Sequence, residues 1–246
     1  MAYQENPRAP GYWLYDGLPV NADVETHQLS LALARRWARA GVNTLDVAAG
    51  HGALSKALLD AGFAVACTSW NDNVQLPIER YRVDLDKSFD RTAVGSRRYE
   101  LVCALEIIEH VENPAHLLRS IAGLMDQGGI CVLSTPNVES ASARLEWLLR
   151  GCPYAFDGAE IRENRHISML WRSGLEHLIA LAGFDIVEKH LSGRLRFHNR
   201  RQRLLKQPIH WLMRRLLSGD LAGASRLYLL RRNARTPHVM GADEVN

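Results

Sequence analysis

The sequence predicts an α/β fold built on a mostly parallel sheet. Residues 43–72 contain an apolar strand, a glycine-containing loop, an amphipathic helix and a second apolar strand, which is the order of a βαβ unit. Apolar strands alternate with amphipathic helices as far as residue 188. The chain has 246 residues, of which 47% are hydrophobic and 23% charged, so it can form one such domain with additions. Because ligands of such sheets bind at the carboxyl ends of the strands, we expect the site there.

The first 42 residues are predicted to form an arm and one helix. Residues 1–20 contain several aromatic side chains and three prolines, which disfavour a helix. Two interpretations stay open for this arm: a lid that contacts the substrate, or a packed irregular segment. From about Asp23 to Ala40 the apolar spacing indicates an amphipathic helix, which Gly41 ends.

The first strand of the βαβ unit, Thr44–Val47, carries one charge, Asp46, near its end. A run of small residues follows, in which Gly50 and Gly52 lack a Cβ and allow the backbone to approach a ligand closely. The next helix begins with its positive end near that ligand. The spacing differs from the dinucleotide-binding pattern because Ser55 replaces its third glycine, so a tight turn without a ligand is the alternative.

The middle of the chain continues the alternation. Tyr99–Leu105 is predicted as a buried strand. Asn113 can cap the next helix and Pro114 suits its first position. Gly128 and Gly129 break that helix, and residues 130–134 are predicted as the following strand.

The next part is predicted to contain an insertion over about residues 138–168. Within it, Ala141–Leu149 is predicted as a helix and Gly151–Arg165 as an irregular polar segment. A capping box at Ser173–Glu176 predicts the start of the following helix. Phe184–Glu188 is predicted as the sixth strand.

The C-terminal part differs from the rest in charge. Residues 191–235 hold 12 Lys and Arg against one acidic residue, whereas residues 1–190 hold 18 basic and 24 acidic residues. This basic segment suggests an anionic partner or substrate, with a solvated basic face as an equally weighted alternative. Pro208–Leu217 has the spacing of an amphipathic helix. Leu227–Leu230 is predicted as a strand that covers a sheet edge, with a basic helix on a membrane surface as the alternative.

The segment Leu45–Gly52 (LDVAAGHG) resembles the first motif of the class I S-adenosylmethionine (SAM)-dependent methyltransferases. The later stretches LEIIEHVENP and LSTPN, separated by two glycines, resemble the same family and follow its order. The resemblance implies a Rossmann-like sheet of seven mostly parallel strands, with helices on both faces and an antiparallel last strand. It also implies three parts: an N-terminal arm and helix (1–42), a SAM-binding core (43–190) and a C-terminal segment that completes the sheet (191–246).

The resemblance implies SAM as the cofactor, with Asp46 and the glycine loop around its methionine part. The family commonly has an acid for the ribose hydroxyls where this chain has Ser69, so either Asp72 reaches back or Ser69 and Asn71 make weaker contacts. Trp70 either stacks on the adenine or packs under a loop. The implied cofactor-binding residues are Asp46, Ala48, Gly50, Gly52, Ser69, Trp70, Asp84, Leu85 and Glu106.

Asp84 and Leu85 enter this set because Val83–Asp86 resembles the end of the family's third strand, where an acid lies near the adenine amino group. The alternative for Asp84 is a turn aspartate, since aspartate favours turns. Both possibilities stay open on the sequence.

Two histidines, His110 and His166, are the candidate catalytic bases, because imidazole titrates near neutral pH. Together with Glu106 and Glu109 they resemble the metal-dependent branches of the family, which are the small-RNA 2′-O-methyltransferases and the ubiquinone-type O-methyltransferases. Mg²⁺ or Mn²⁺ holds the acceptor oxygens there, and two imidazoles suit Mn²⁺ better than Mg²⁺. The alternative is that the acids hold backbone amides at the strand-to-helix turn.

The predicted function is therefore SAM-dependent methyl transfer to an oxygen of a small molecule, sugar or glycolipid precursor, which the basic segment suggests is anionic. RNA ribose 2′-O-methylation and a catalytically inactive binding module are the alternatives. No signal-peptide pattern is evident, no apolar run reaches membrane-spanning length, and the four cysteines form no C-x-x-C pair. A reduced cytoplasmic protein is expected. The sequence does not determine the oligomeric state.

Overall fold

The computed structural model describes residues 3–9, 11–70, 72–87, 89–193, 208–209, 211–213 and 215–234. The predicted contact of Asn71 with the ribose falls outside these residues, as does much of the basic segment. The division of the chain into an arm, a core and a C-terminal segment stays a prediction. Among the described residues, no helix combines the length and the apolar character needed to cross a bilayer.

The N-terminal arm is a small antiparallel sheet instead of a packed irregular segment. Its three strands are β1 (Tyr3–Glu5), β2 (Trp13–Tyr15) and β3 (Leu18–Val20). Asp16 and Gly17 both have positive φ angles and form the two-residue turn between β2 and β3, a turn type for which Asp-Gly is favoured. This Asp-Gly pair was the available sequence signal for the hairpin.

The main sheet has seven strands in the order β6-β5-β4-β7-β8-β10-β9. The strands β4 to β8 pair in parallel, and β10 pairs antiparallel with both β8 and β9. This confirms the predicted mostly parallel sheet with an antiparallel last strand. The strands are β4 (Asn43–Val47), β5 (Ala64–Thr68), β6 (Glu79–Tyr81), β7 (Tyr99–Ala104), β8 (Met125–Pro136), β9 (Phe184–Ser192) and β10 (Ser225–Arg232).

Helices cover both faces of this sheet. Two of them, α1 and α2, supply buried apolar residues on one face, and α3 and α6 supply them on the other. Asp23 caps α1 by accepting the backbone N–H of Glu25, and Asn113 caps α3 by accepting the N–H of His116. The helices are α1 (Val24–Trp37), α2 (Ala53–Asp60), α3 (Pro114–Leu124), α4 (Ala141–Arg150), α5 (Gly158–Asn164) and α6 (Arg172–Leu181).

The third strand lies before its predicted position. The prediction was Val83–Asp86, but the strand is Glu79–Tyr81, and Val83–Asp86 forms the connection that follows it. β6 is short and lies at the edge of the sheet, so it carries polar residues and lacks the apolar run of a central strand. The shift leaves Asp84 and Leu85 just beyond the carboxyl end of the strand.

Two further predictions on the following part of the chain were wrong. Gly151–Arg165 is not irregular throughout, because it contains α5, which Asp157 caps by accepting the N–H groups of Ala159 and Glu160. The capping box at Ser173–Glu176 does not form, because α6 already begins at Arg172. Its N-cap residue, Trp171, has extended backbone and makes no side-chain cap, so no polar cap marks this helix start in the sequence.

Candidate active site

Two cavities open beyond the carboxyl ends of β4, β5 and β7, with volumes of about 260 and 760 Å³. They share Ala48 and His110, so they meet at this point. Of the predicted site residues, the smaller cavity is also lined by Ser69, Trp70, Asp84 and Leu85. The larger cavity is also lined by Glu106, Glu109 and His166.

The glycine loop after β4 adopts backbone conformations that side chains rarely take. Ala48, Gly50 and Gly52 all have positive φ angles, of 57°, 57° and 88°. A Cβ atom on Gly50 would lie 2.1 Å from Nδ2 of Asn21, in the segment between β3 and α1. Glycine at position 50 therefore avoids backbone strain and leaves room for the side chain of Asn21. Gly50 and Gly52 are not among the residues that line the two cavities, so their contact with a cofactor stays a prediction.

Asp46 lies behind the loop. Its side chain is buried and accepts a hydrogen bond of 2.6 Å from the hydroxyl of Ser55, the residue that replaces the third glycine of the dinucleotide pattern. Burial raises the pKa of Asp46 to about 7, although the hydrogen bonds from Ser55 oppose this shift. Asp46 does not line either cavity, so its predicted role at the methionine part of the cofactor stays a prediction.

The raised pKa of Asp46 predicts a pH dependence of stability. The folded state binds this proton up to about pH 7, whereas the ordinary value of 3.8 applies to the unfolded state. The carboxyl group is therefore expected to lower the free energy of unfolding as the pH rises from about 4 to 7, by an amount on the order of 4 kcal/mol. Urea unfolding of wild type and Asp46→Asn across this range should show that wild type loses stability relative to the variant. A constant difference would contradict the assignment.

The residues after β5 include two of the candidates for contact with the ribose hydroxyls, Ser69 and Asp72. Ser69 is buried and lines the smaller cavity. The side chain of Asp72 is exposed and pairs with Arg80 at 2.9 Å, away from both cavities, so the geometry favours Ser69. Trp70 is 63% exposed, and the guanidinium of Arg82 lies 5.2 Å from its ring centroid. The indole is therefore not packed under a loop.

Asp84 has the contacts of a turn aspartate, and its role beside the adenine stays a prediction. Its carboxylate accepts the backbone N–H of Asp86 and pairs with Nζ of Lys87 at 3.2 Å, which is the behaviour of a turn aspartate. These contacts, the backbone hydrogen bond first, hold the pKa of Asp84 below its ordinary value. Asp84 also lines the smaller cavity beside Leu85, where an ionised carboxylate can accept a hydrogen bond from an amino group.

Glu109, His110 and His166 form a compact cluster where the cavities meet, with ligand atoms within 4.8 Å of one another. The two imidazole rings are perpendicular, with centroids 4.7 Å apart. Glu109 is completely buried, and Oε2 accepts a hydrogen bond from the hydroxyl of Thr135. Its other oxygen, Oε1, has no hydrogen-bond partner in the described part of the chain and lies 3.9 Å from Nε2 of His110. Burial, followed by the charge of Glu106, raises the pKa of Glu109 well above its ordinary value.

Local backbone structure holds this cluster together. Glu109 and His110 lie in a single 3-10 turn that follows β7. The carbonyl of Glu109 accepts the N–H groups of Ile167 and Ser168 at 3.0 and 2.9 Å, which fixes the segment that carries His166. Nδ1 of His166 donates a hydrogen bond of 2.6 Å to the carbonyl of Ala155, so Nε2 carries the lone pair of the neutral ring.

The neutral form, which keeps a lone pair on one ring nitrogen, is favoured for His110 as well. Burial, followed by the charge of His166, lowers the pKa of His110 below its ordinary value. Glu106 lies outside the three-residue cluster, accepts a hydrogen bond of 2.8 Å from the hydroxyl of Ser134, and has a positive φ of 47°. The predicted set of four metal ligands is thus reduced to three that lie close together.

Several lining residues were not predicted. Trp13 and Asn21 from the N-terminal part border the larger cavity, Arg165 borders the smaller one, and Asn164 borders both. Arg165 ends α5 in a left-handed conformation, with a φ of 57°. No local sequence signal marks these residues, because their positions depend on how β1–β3 and α5 pack over the edge of the main sheet.

Comparison with known proteins agrees with this geometry. A family described as "Methyltransferase domain" matches residues 22–189. The chain therefore belongs to this methyltransferase family, and its fold is that of SAM-dependent methyltransferases of class I. Membership of the family favours a methyltransferase over the inactive binding module.

The chain is similar to named methyltransferases in sequence and in fold. The mitochondrial ubiquinone biosynthesis O-methyltransferase of Arabidopsis thaliana is 30% identical over 130 residues, which cover 45% of this chain and 40% of that protein. The chain spans about half the length of the curated relatives it matches. A SAM-dependent methyltransferase from Archaeoglobus fulgidus superimposes with a TM-score of 0.56 at 15% identity, covering 83% of this chain and 94% of that one. The magnesium protoporphyrin IX methyltransferase of Synechocystis with bound SAH superimposes with a TM-score of 0.55 at 15% identity, covering 85% of this chain and 82% of that one.

Proposed function

We propose that the protein transfers the methyl group of SAM to a hydroxyl oxygen of a small, uncharged acceptor bound in the larger cavity. The observation that carries this proposal is the cluster of Glu109, His110 and His166 at the junction of the two cavities. When bound, SAM supplies an electrophilic methyl group. The protein has to position the acceptor oxygen and remove or weaken its proton. The relatives named for ubiquinone biosynthesis are O-methyltransferases, which supports oxygen as the acceptor atom.

His166 is the better placed of the two candidate bases. Its Nδ1–H is engaged with the carbonyl of Ala155, which leaves Nε2 to accept a proton. His166 lines the larger cavity, whereas His110 borders both cavities. We therefore assign proton acceptance to His166 and placement of the acceptor beside the cofactor to His110.

The same cluster fits a divalent metal ion. Oε1 of Glu109 is buried without a hydrogen-bond partner among the described residues, a situation that costs free energy unless a proton or cation satisfies the atom. The two imidazoles of His110 and His166 complete a set of one oxygen and two nitrogen ligands, which suits Mn²⁺ or Fe²⁺ better than Mg²⁺. A metal held there would fix and polarise the acceptor oxygen.

The lining of the larger cavity argues for an uncharged acceptor. It includes four acidic residues, Asp23, Glu106, Glu109 and Glu160, whereas the described lining contains neither Lys nor Arg. The carboxylates of Asp23, Glu106 and Glu160 disfavour anions, whereas the raised pKa of Glu109 favours its uncharged form. The geometry therefore argues against the anionic acceptor that the basic segment suggested. It also argues against RNA, whose phosphates are bound by Lys and Arg.

Methyl transfer from labelled SAM to catechol and to 3,4-dihydroxybenzoate tests this proposal, because the two acceptors differ only by a carboxylate. We expect an O-methylated product from catechol and a value of kcat/KM that is roughly tenfold or more lower for the carboxylated acceptor. The same assays in EDTA and in Mn²⁺ measure whether methyl transfer depends on a divalent metal ion. Preference for the anionic acceptor, or transfer only to nitrogen acceptors of similar size, would contradict the proposal.

A further inference from the structure

Large apolar side chains are exposed on two segments outside the catalytic cavities. The first is the C-terminal end of α4, and the second comprises the described residues 208–209, 211–213 and 215–217. Their exposures range from 43 to 81%, whereas exposed apolar side chains of soluble proteins are normally scattered singly. We call these residues the apolar surface: Trp147, Leu148, Leu149, Ile209, Trp211, Leu212, Leu216 and Leu217.

Contacts at the start of α4 bring the two segments together. The backbone N–H of Ala141 donates to the carbonyl of Leu221 at 3.0 Å. Gly219 lies against the guanidinium of Arg144, since a Cβ on Gly219 would be 2.9 Å from Nη2. Arg144 and Leu148 are four residues apart on α4 and share one face of the helix. Gly219 and Leu221, which follow the second segment closely in sequence, are therefore held beside the first turns of α4.

Positive charge accompanies the apolar side chains. Arg215 places its guanidinium 5.1 Å from the ring centroid of Trp211. On α4, Arg144 and Arg150 accompany one acidic residue, Glu146, and Arg150 lies 4.0 Å from the carboxylate of Asp157. The sequence between residues 194 and 207 adds six Lys and Arg and no acidic residue. Trp and Leu beside Arg are typical of helices that lie in the interface of a bilayer, where the apolar side chains enter the lipid and the cations meet the headgroups.

We propose that the apolar surface docks on an anionic lipid bilayer. The partner is a bilayer instead of a second copy of the chain, because an isologous dimer through this surface would bring two equally basic segments together. Anionic headgroups complement this charge. The proposal is independent of the identity of the acceptor and of the metal.

Co-sedimentation of the full-length protein with vesicles tests the docking. We expect binding to equimolar phosphatidylcholine and phosphatidylglycerol, with at least roughly tenfold weaker binding to phosphatidylcholine alone and weakening by salt. The paired variants Leu148→Ser/Leu149→Ser and Trp211→Ser/Leu216→Ser should each lower the partition coefficient roughly tenfold or more. These residues are exposed, so the variants should fold, as their unfolding midpoints will verify.

The matched control is Trp171→Ser, because Trp171 is 55% exposed and Trp211 is 61% exposed, but Trp171 lies at the start of α6, outside the apolar surface. We expect this control to bind vesicles like wild type. The proposal would be overturned if wild type does not bind the anionic vesicles, or if the paired variants bind them as well as wild type does. A wild-type dimer that the variants convert to monomers, without vesicle binding, would assign the surface to a second copy and also overturn it.

Discussion

Replacement of His166 by alanine is expected to lower kcat by a factor of about 10²–10⁴ while the affinity for S-adenosylhomocysteine (SAH) stays within about twofold. The reason is that His166 lines the larger cavity, where we place the acceptor, and not the smaller cavity, which most of the cavity-lining cofactor candidates border. Its Nε2 is left free to take a proton by the hydrogen bond from Nδ1 to Ala155. Steady-state kinetics and SAH calorimetry on the same preparation measure the two effects separately.

The matched control is His177→Ala, because His177 lies on the exposed side of α6 and away from both cavities. We expect it to keep full turnover. If His166→Ala also keeps full turnover, His166 is neither the base nor a required metal ligand. If it loses turnover and SAH affinity together, the residue supports the cofactor site instead of the acceptor.

The mode of action of His166 can be resolved further. If His166 is a base that acts without a metal, EDTA should leave the activity of wild type unchanged. The fall of kcat at low pH that wild type shows should then be absent in His166→Ala. If His166 is a metal ligand, excess Mn²⁺ should partly restore the activity of His166→Ala. The lowered pKa of His110 keeps that ring neutral at neutral pH, so its titration should not limit turnover above pH 7.

Replacement of Gly50 by alanine is expected to weaken SAH binding by at least about tenfold. Alanine at position 50 would adopt the left-handed φ that Ala48 already has, at a further cost in strain, and its Cβ would lie 2.1 Å from Nδ2 of Asn21. The strained loop would then shift at the carboxyl end of β4, next to Ala48, which borders both cavities. Calorimetric titration with SAH measures the loss.

Gly151→Ala is the control for backbone strain alone. Gly151 has a φ of 78°, and a Cβ there would meet no atom within 4 Å. Both variants should lose about 1 kcal/mol of unfolding free energy, but only Gly50→Ala should lose SAH affinity. Adding Asn21→Ala to Gly50→Ala removes the side-chain clash, and recovery of affinity would show that the clash is the cause. Unchanged affinity in Gly50→Ala would show that the glycine loop is not part of the cofactor site.

The central part of the fold was predictable because its elements are buried on both sides. β4, α2 and β5 lie near their predicted positions, since apolar periodicity follows burial. The antiparallel strand β10 was predicted on a different ground, because the family's seventh strand was otherwise missing and a sheet edge needs covering. The strand is confirmed, but it lies between β8 and β9, and β9 forms the edge. The edge strand β6 has no such pattern, and pairing with a single neighbour was enough to form it. The helix α5 contains no buried residue, so apolar periodicity gave no signal for it.

The candidate site was predictable only where its residues follow a strand directly. Glu109 and His110 come just after β7, and Ser69 comes just after β5, so strand order placed them at one edge of the sheet. His166 joins them through backbone hydrogen bonds to Glu109 from the two residues after it, which no sequence pattern reveals. Here the family resemblance, and not periodicity, supplied the prediction.

The most direct test of the account is a calorimetric titration of the wild type with SAH, first in EDTA and then with Mn²⁺, repeated on Glu109→Gln. The account predicts SAH binding with a dissociation constant of about 1–100 µM in both conditions. It also predicts a separate Mn²⁺ heat in wild type that Glu109→Gln loses. Absence of SAH binding in either condition would contradict the central claim that the cavities at the carboxyl ends of β4, β5 and β7 hold SAM.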